Sequence, residues 1–497
     1  MPSINPQTFD INECKIIWAS GETMDIRPNL VEFNYFEDIF SNHLSGYVML
    51  GDSLNLENKL SFNGNEYLVV SVSKKEHESF LGGFFDYMSG NDMKPLNKIL
   101  RIYKADDRGL TKDSNEGYSI NFCSEEFFIS QQYKICKAYK NEKISDIVRD
   151  IALNFLKIPE KEFPEEHCFP TRGTCHVVIP NLMPLEAINW LCTRAISADS
   201  KITGATFLFY RDRFNWNFKP TLAIYGEYPR YNRRNGIYNH YYYSTKNDGV
   251  QEDTGNKLFG SDFNNILSYQ VLDSYDSFDV VQDGTFANKM IGINHLTRKH
   301  GVTEFKYGEY FDQIKSDLTL YKEFQPYGLM NNFENRFKDT YDNTTDSYIK
   351  SAYSTTDLQN NPYIAKNQPE IYNNYLEQII PYRFAQHKLI SSTRLKLAVA
   401  GDPYITIGDV VELHIKSPAP VEFGGGKIDK KKDKFISGKY LVTAVRHRFN
   451  QEGEFDTTLE VCKDSFEAGV DAVDTPGLMP INNDHENYQI AKNNGEF

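Results

Sequence analysis

Ser53 is the side chain whose type and setting most directly suggest chemistry. It lies in GYVMLGDSLNLENKL, Gly46 to Leu60, where a β-prone run, Gly46 to Leu50, would deliver a hydroxyl to its end. A serine hydroxyl attacks only when a base, usually a histidine oriented by a carboxylate, takes its proton. Two other groupings could do chemistry. His167-Cys168 and Cys175-His176 offer two nitrogen-sulfur pairs, although structural zinc sites usually carry a tighter Cys-x2-4-Cys knuckle. The acidic doublets Glu125-Glu126 and Glu165-Glu166 could contribute to a glycosidase pair, whose two carboxylates need only meet in space, but 68 acidic residues make such doublets common. No phosphate-binding glycine-lysine loop, dinucleotide glycine fingerprint or His-Glu-x-x-His is present.

The Gly51-Asp52-Ser53-Leu54 block resembles the opening block of GDSL esterases. That resemblance implies a late Asp-x-x-His, yet none of the 11 histidines (43, 77, 167, 176, 240, 295, 300, 387, 414, 447 and 485) has aspartate three positions before it. Asp484-His485 has the wrong spacing, and Ser89-Gly90-Asn91-Asp92 only approximates the family's Gly-x-Asn-Asp, with its glycine displaced by one. The serine should also open a helix in a parallel α/β fold. Here Asn63-Gly64 follows instead, a strong hairpin signal between alternating apolar residues in Leu60 to Val72. We therefore expect no catalytic residue, no bound cofactor and no metal, and read Gly51-Asp52-Ser53 as the turn that ends a strand.

The elements that must position such residues are mostly strands. Of the 497 residues, 40% are hydrophobic, and Tyr (32) and Phe (34) far outnumber Trp (3) and Met (9), a balance that favours sheets. The net charge of -14 argues against general attraction to nucleic acid or anionic membrane. No signal peptide and no apolar run of membrane-spanning length is expected. Seven cysteines, an odd number widely scattered, suggest reduced and mostly buried thiols.

Strands are expected at Lys15 to Ala19, Leu30 to Phe36, Gly46 to Leu50, Lys98 to Lys104 and Tyr118 to Ser124. The texture then changes. KISDIVRDIALNFLKI places Ile144, Ile147, Val148, Ile151 and Phe155 on one helical face with Ser145 as cap, and MPLEAINWLCTRAIS does the same with Leu185, Ile188, Leu191 and Ala195 behind Pro184. A strand at Ala205 to Asp212 should pair with one around Lys219 to Tyr225. Tyr228 to Lys246 interleaves tyrosine and arginine, a composition suited to bases, sugars or protein interfaces, and the acidic chain favours an interface.

Two or three further strands with a turn at Asp283-Gly284 follow Asn264, then a polar stretch from 338 to 369, and a helix in two pieces from Ile371 to Ile390 broken at Pro381. In RLKLAVAGDPYITIGDVVELHIK, Leu395, Leu397 and Val399 alternate, Gly401-Asp402-Pro403 turns, and Val411, Leu413 and Ile415 alternate again. The Lys430 to Lys434 loop reads as a solvated tip, and GKYLVTAVRHRF with FDTTLEVCKDS closes the sheet.

Three stretches in this order resemble the central baseplate hub proteins of contractile-tailed bacteriophages, related to the hub part of type VI secretion spikes. VEFNYFEDIFSNHLSGYVMLGDS is similar to the first strands of a tube-like hub domain, MPLEAINWLCTRAIS with ATFLFY to its middle element, and AVAGDPYITIGDVVELHI with GKYLVTAVRHRF and TTLEVCKDS to a second tube-like domain. Together they cover about half of the chain. The resemblance implies a β-dominated α+β chain: two tube-like antiparallel β-barrel domains, 1–125 and 263–468, flank a helix-containing middle domain, 126–262. A polar insertion would interrupt the second barrel around 311–370, and 469–497 would be a tail. It further implies a homotrimer in the virion tail, assembled in the host cytoplasm, with a tail tube protein, a central spike protein and baseplate wedge proteins as partners. DNA would pass through its channel without stable binding, and no membrane insertion is expected. The competing expectations are a tail-associated hydrolase, either a serine esterase or a cell-wall glycosidase, and a glycan-binding component using Tyr228 to Tyr243.

Overall fold

The structure is a computed structural model describing residues 9–52, 62, 64–74, 96–110, 116–199, 206–226, 239–243, 264–273, 287–294, 299–306, 353–354, 383, 393–402 (without 403–404), 405–415, 433, 435–450 and 454–464. Ser53, Asn63, Asn91, Asp283 and most of the Lys430 to Lys434 loop lie outside these residues, as do His485, the 469–497 tail and nearly all of 338–390.

A first group of strands comprises β1 (Phe9–Ile17), β2 (Thr23–Asp25), β3 (Leu30–Asp38), β4 (Ser45–Asp52), β5 (Tyr67–Lys74), β6 (Leu96–Leu110) and β7 (Glu116–Cys123). Every pairing among them is antiparallel. Alternation fixes the faces: Phe33 and Tyr35 on β3, Val48 and Leu50 on β4, and Ile120 and Phe122 on β7 are all buried, so one face of the sheet closes a core. β4 runs to Asp52, two residues beyond the sequence expectation, because Gly51 and Asp52 still pair with Gly117 and Glu116. The Asn63-Gly64 hairpin is also corrected. Gly64 does adopt φ +83, but Phe62 lies outside any strand and β5 pairs with β1 and β6 rather than across that turn.

The middle of the chain carries the helices α1 (Glu125–Gln132), α2 (Ile144–Asp150) continuing into a wider π-type turn (Ile151–Phe155), α3 (Pro184–Cys192) and, farther on, α4 (Thr221–Gly226). β8 (Ala138–Glu142) pairs with β9 (Cys175–Val178), and β10 (Phe207–Arg211) pairs with β11 (Trp216–Pro220). The apolar stripes read from the sequence form one core: Ile147, Val148 and Ile151 meet Leu185, Ile188 and Leu191, over Phe207, Phe209, Trp216 and Phe218. Ser145 is not the cap of α2. Lys143 holds that position, and the backbone N–H of Ser145 donates to Thr171 Oγ1 at 3.0 Å. The partner of β10 begins at Trp216 rather than near Lys219, because Asp212 Oδ1 accepts the N–H groups of Phe214 and Asn215 at 2.7 and 2.8 Å and closes a tight turn. Thr221 to Gly226, expected as strand, is helical.

The remaining strands are β12 (Asn239–Tyr243), β13 (Ile266–Asp273), β14 (Ala287–Asn294), β15 (Lys299–Lys306), β16 (Tyr353–Ser354), β17 (Thr393–Ala400), β18 (Val410–Ile415), β19 (Gly438–Asn450) and β20 (Phe455–Lys463). β14, β15 and β16 form a small separate sheet. The alternation expected in β17 and β18 is present, with Leu395, Leu397, Val399, Val411, Leu413 and Ile415 all buried in a third core. The two strands are not paired, however: β17 lies between β13 and β20, and β18 between β12 and β19.

A single sheet runs β13-β17-β20-β19-β3-β4-β7-β6-β5-β1-β2, with β18 and β12 branching from β19. Its ladder has β13 and β2 at its ends among the described residues, and a parallel bridge from Tyr242 of β12 to Asn265, just before β13, links the branch back to the first of these ends. The protein is thus β-dominated and largely antiparallel; among the described residues β12-β18 and β14-β16 are parallel strand pairs. Among the described residues no helix is long and apolar enough to cross a membrane.

Candidate functional site

The most built feature of the molecule is the seam where its β groups and helical middle meet. Strands β3 and β19 pair antiparallel from Asp38 against Ala444 to Glu32 against Asn450. Beneath the seam, Phe33 stacks on Phe122 at 5.5 Å and contacts Phe449 at 5.6 Å, and Phe449 stacks on Phe455 at 4.3 Å. These rings place β19 and β20 partly in the first core, so the two β groups share buried surface as well as hydrogen bonds.

A buried polar cluster locks the third part to this seam. Glu37 of β3 is 1% exposed; the Thr406 hydroxyl donates to its carboxylate, and Thr406 Oγ1 accepts the Arg213 N–H at 3.0 Å. Lys98 of β6 donates to the Arg213 carbonyl at 2.5 Å. One short chain of bonds therefore links both β groups and the β10-β11 turn. Burial pushes the Glu37 carboxyl up, against the Thr406 hydrogen bond and the Lys98 charge, while burial pulls Lys98 down to about 8. Nearby, Asn42 donates to the Phe209 carbonyl at 2.5 Å and accepts from Asn189 of α3 at 2.7 Å.

His447 stands in the same region, fully buried, with its ring stacked on Tyr35 at 6.0 Å. Burial, reinforced by the Arg213 charge, holds it down to about 3. A depressed histidine is neutral in the fold and takes its proton on unfolding, so its stability contribution is lost as pH falls below the unfolded value. Between pH 6.5 and 5 we expect this group to remove about 2 kcal/mol. The raised Glu37 acts in the opposite sense, binding its proton first in the fold. Urea unfolding of His447→Gln at the two pH values isolates the histidine: its acid loss is expected to be smaller than the parent's, and an equal loss would refute the assignment.

The other face of the sheet is polar and continuous across the seam. Glu32 lies 3.2 Å from Arg448 and 3.6 Å from Arg446, Arg448 reaches Asp456 at 3.8 Å, and Arg394 reaches Glu460 at 3.4 Å. Burial pushes Glu32 up, but the Asn34 amide and the Arg448 and Arg446 charges outweigh it and hold its carboxyl below the usual value. Apolar side chains stand out at Ile99 (67% exposed) and Met49 (42%), and the end strand β13 exposes Leu267, Val271 and Leu272.

Among the described residues, those singled out for chemistry do not form a common cluster. Ser53 is outside the described residues, and the strand leading to it pairs only antiparallel, with β3 and β7. Glu126 pairs with Arg211, Glu125 accepts from Tyr67 at 3.2 Å, and Glu165 and Glu166 are exposed. His167 Nδ1 bonds the Asn217 side chain at 2.8 Å, and the Cys168 thiol donates to the Ser145 carbonyl at 3.5 Å. Cys175 and His176 alternate along β9, the first packed against the helical core and the second exposed. Burial pushes the thiols up, Cys168 to about 12 and Cys175 to about 11. Within the Tyr228 to Tyr243 cluster, β12 is described, and Tyr241 is fully buried in the third core rather than displayed. One grouping went unread in the sequence: His240, Glu412 and His414. Its signal is an alternating Glu-x-His on one strand, which becomes informative only once β12 is placed beside it.

No family model matches the chain, and no curated protein matches it. Among solved structures it is similar to a tail protein from Neisseria meningitidis MC58, at 10% identity over 92% of this chain and 97% of that one, with a TM-score of 0.47. It is also similar to the 43 kDa tail protein of prophage MuSo2 from Shewanella oneidensis, at 10% identity over 91% and 99% of the two chains, with a TM-score of 0.45. A further similarity is to an E. coli type VI secretion component described as resembling the T4 bacteriophage tail proteins gp27 and gp5, at 10% identity over 95% and 80%, with a TM-score of 0.36.

Proposed function

We propose that this chain is a non-enzymatic structural virion protein, the trimeric central hub of a contractile-tail baseplate, joining a sixfold tail tube to a threefold spike. The observation that carries this reading is the β3-β19 seam: one chain holds two β groups side by side in one sheet, so three chains would present six similar units. In this reading each β group is one tube-like barrel domain, 1–125 and 263–468, and the helical core belongs to the middle domain within 126–262. We assign Asn239–Tyr243 to the second barrel because it pairs with β18.

The end strand β13, with Leu267 and Leu272 exposed, suits pairing or packing against a neighbouring chain. The polar sheet face suits a channel wall. Its guanidinium groups Arg394, Arg446 and Arg448 are matched by carboxylates, so DNA phosphates gain little there and would slide. The partners in this reading are the tail tube, central spike and baseplate wedge proteins, and the protein resides in the virion tail after assembly in the host cytoplasm.

Light scattering of the purified chain tests the proposal, with a three-chain mass as the expected result. Ser53→Ala separates it from a hydrolase. The variant is expected to keep the parent's mass and to change no ester-hydrolysis rate; an esterase activity that disappears with Ser53 would overturn the reading.

A further inference from the structure

β12 and β18 come from distant parts of the chain, and their parallel register sets His240 beside Glu412 and Tyr242 beside His414. Tyr241, Val411 and Leu413 are fully buried, so alternation turns His240, Glu412 and His414 together to the opposite, solvent-facing side. There His240 Nδ1 lies 3.2 Å from His414 Nε2 and 3.4 Å from Glu412 Oε2, and the three ligand atoms all lie within 4.8 Å of one another. Ligand atoms bound tetrahedrally at zinc distances of about 2.0–2.1 Å stand about 3.3–3.4 Å apart, so two edges of the right size are already formed.

The rings are also held in place. Tyr242 stacks on His414 with centroids 4.6 Å apart and planes 12° from parallel, and His240 stacks on the same ring at 5.5 Å and 20°. Two imidazoles and one carboxylate are a nitrogen-oxygen donor set that suits zinc and its first-row neighbours rather than calcium or magnesium.

We propose that His240, Glu412 and His414 bind one divalent transition-metal ion, zinc foremost. Three protein ligands leave a fourth position facing solvent for water. The ion joins positions 174 residues apart in sequence, so it acts as a clasp that fixes β12 on the edge of β18. This site is independent of the hub reading.

The test uses the full chain, freed of metal with a chelator and titrated with Co2+ and then Zn2+. The expected result is one equivalent of Co2+ with the intense visible absorption of a tetrahedral site, displaced by Zn2+, and a higher melting temperature with Zn2+ present. His240→Ala and His414→Ala should each weaken binding roughly tenfold or more and abolish the metal-dependent rise in melting temperature. Their metal-free melting should match the parent's, and Glu412→Gln, which conserves shape, carries the test if either histidine variant fails to fold. Cys168→Ser and Cys175→Ser should leave binding unchanged. Absence of stoichiometric binding, binding indifferent to both histidines, or binding lost with the cysteines would overturn the proposal.

Discussion

Arg211→Met is expected to destabilise the protein by about 3–5 kcal/mol, read from urea unfolding monitored at the tryptophans of the middle core. Arg211 ends β10 and sends one arm to Glu126 of α1 at 2.6 Å and the other to Glu162 at 2.8 Å. The Arg211 and Glu126 side chains are only 12% and 10% exposed, so solvent screens their attraction little. Methionine keeps the length of the stem but leaves the Glu126 carboxylate buried without its cation, which costs far more than the intact pair contributes. The triple variant with Glu126→Gln and Glu162→Gln separates the two effects. Removing the stranded charges should recover much of the loss, whereas a single-variant loss below about 1 kcal/mol would contradict the burial argument.

Gly46→Ala is expected to be comparably severe, about 3 kcal/mol, by a steric route. Gly46 sits in β4 opposite Tyr35, and a Cβ there would lie 2.2 Å from the Asn34 carbonyl oxygen and 2.4 Å from Phe122 Cζ. The oxygen belongs to the paired strand and cannot swing aside as a flexible side chain would, and Phe122 is fixed by its stack on Phe33. Gly117→Ala is the control on the neighbouring strand, since its added methyl would meet nothing nearer than 3.9 Å. The measurement is the difference between the two unfolding midpoints, expected to be large. Equal midpoints would mean that the sheet around β4 is looser than the geometry requires.

The elements were legible where burial is periodic. Leu395, Leu397 and Val399 announce one buried strand face, and Leu185, Ile188 and Leu191 one helical face, because each signal lies within a single element. What the sequence could not convey is which elements become neighbours. β17 and β18 follow one another yet pair with other strands, and β3 meets β19 across about four hundred residues, a contact with no local trace. Ser145 is not the cap its residue type suggests, because the helix already starts at Ile144 and the Ser145 amide is satisfied by Thr171, brought in from another loop. For the same reason the polar cluster of Glu37, Lys98, Arg213 and Thr406 was invisible: each residue is ordinary in its own segment and becomes costly to remove only when the three parts close around it. Tyr241 shows the converse. Composition marked it as interface, and tertiary packing used it as core.

The most direct test of the hub reading is electron microscopy of the purified full chain, with class averages viewed down the particle axis. The expected result is a closed ring of three chains showing six similar lobes around an open centre, with two lobes from each chain joined through the β3-β19 seam. Discrete single-chain particles at every concentration, or a closed assembly whose lobes do not number two per chain, would contradict it.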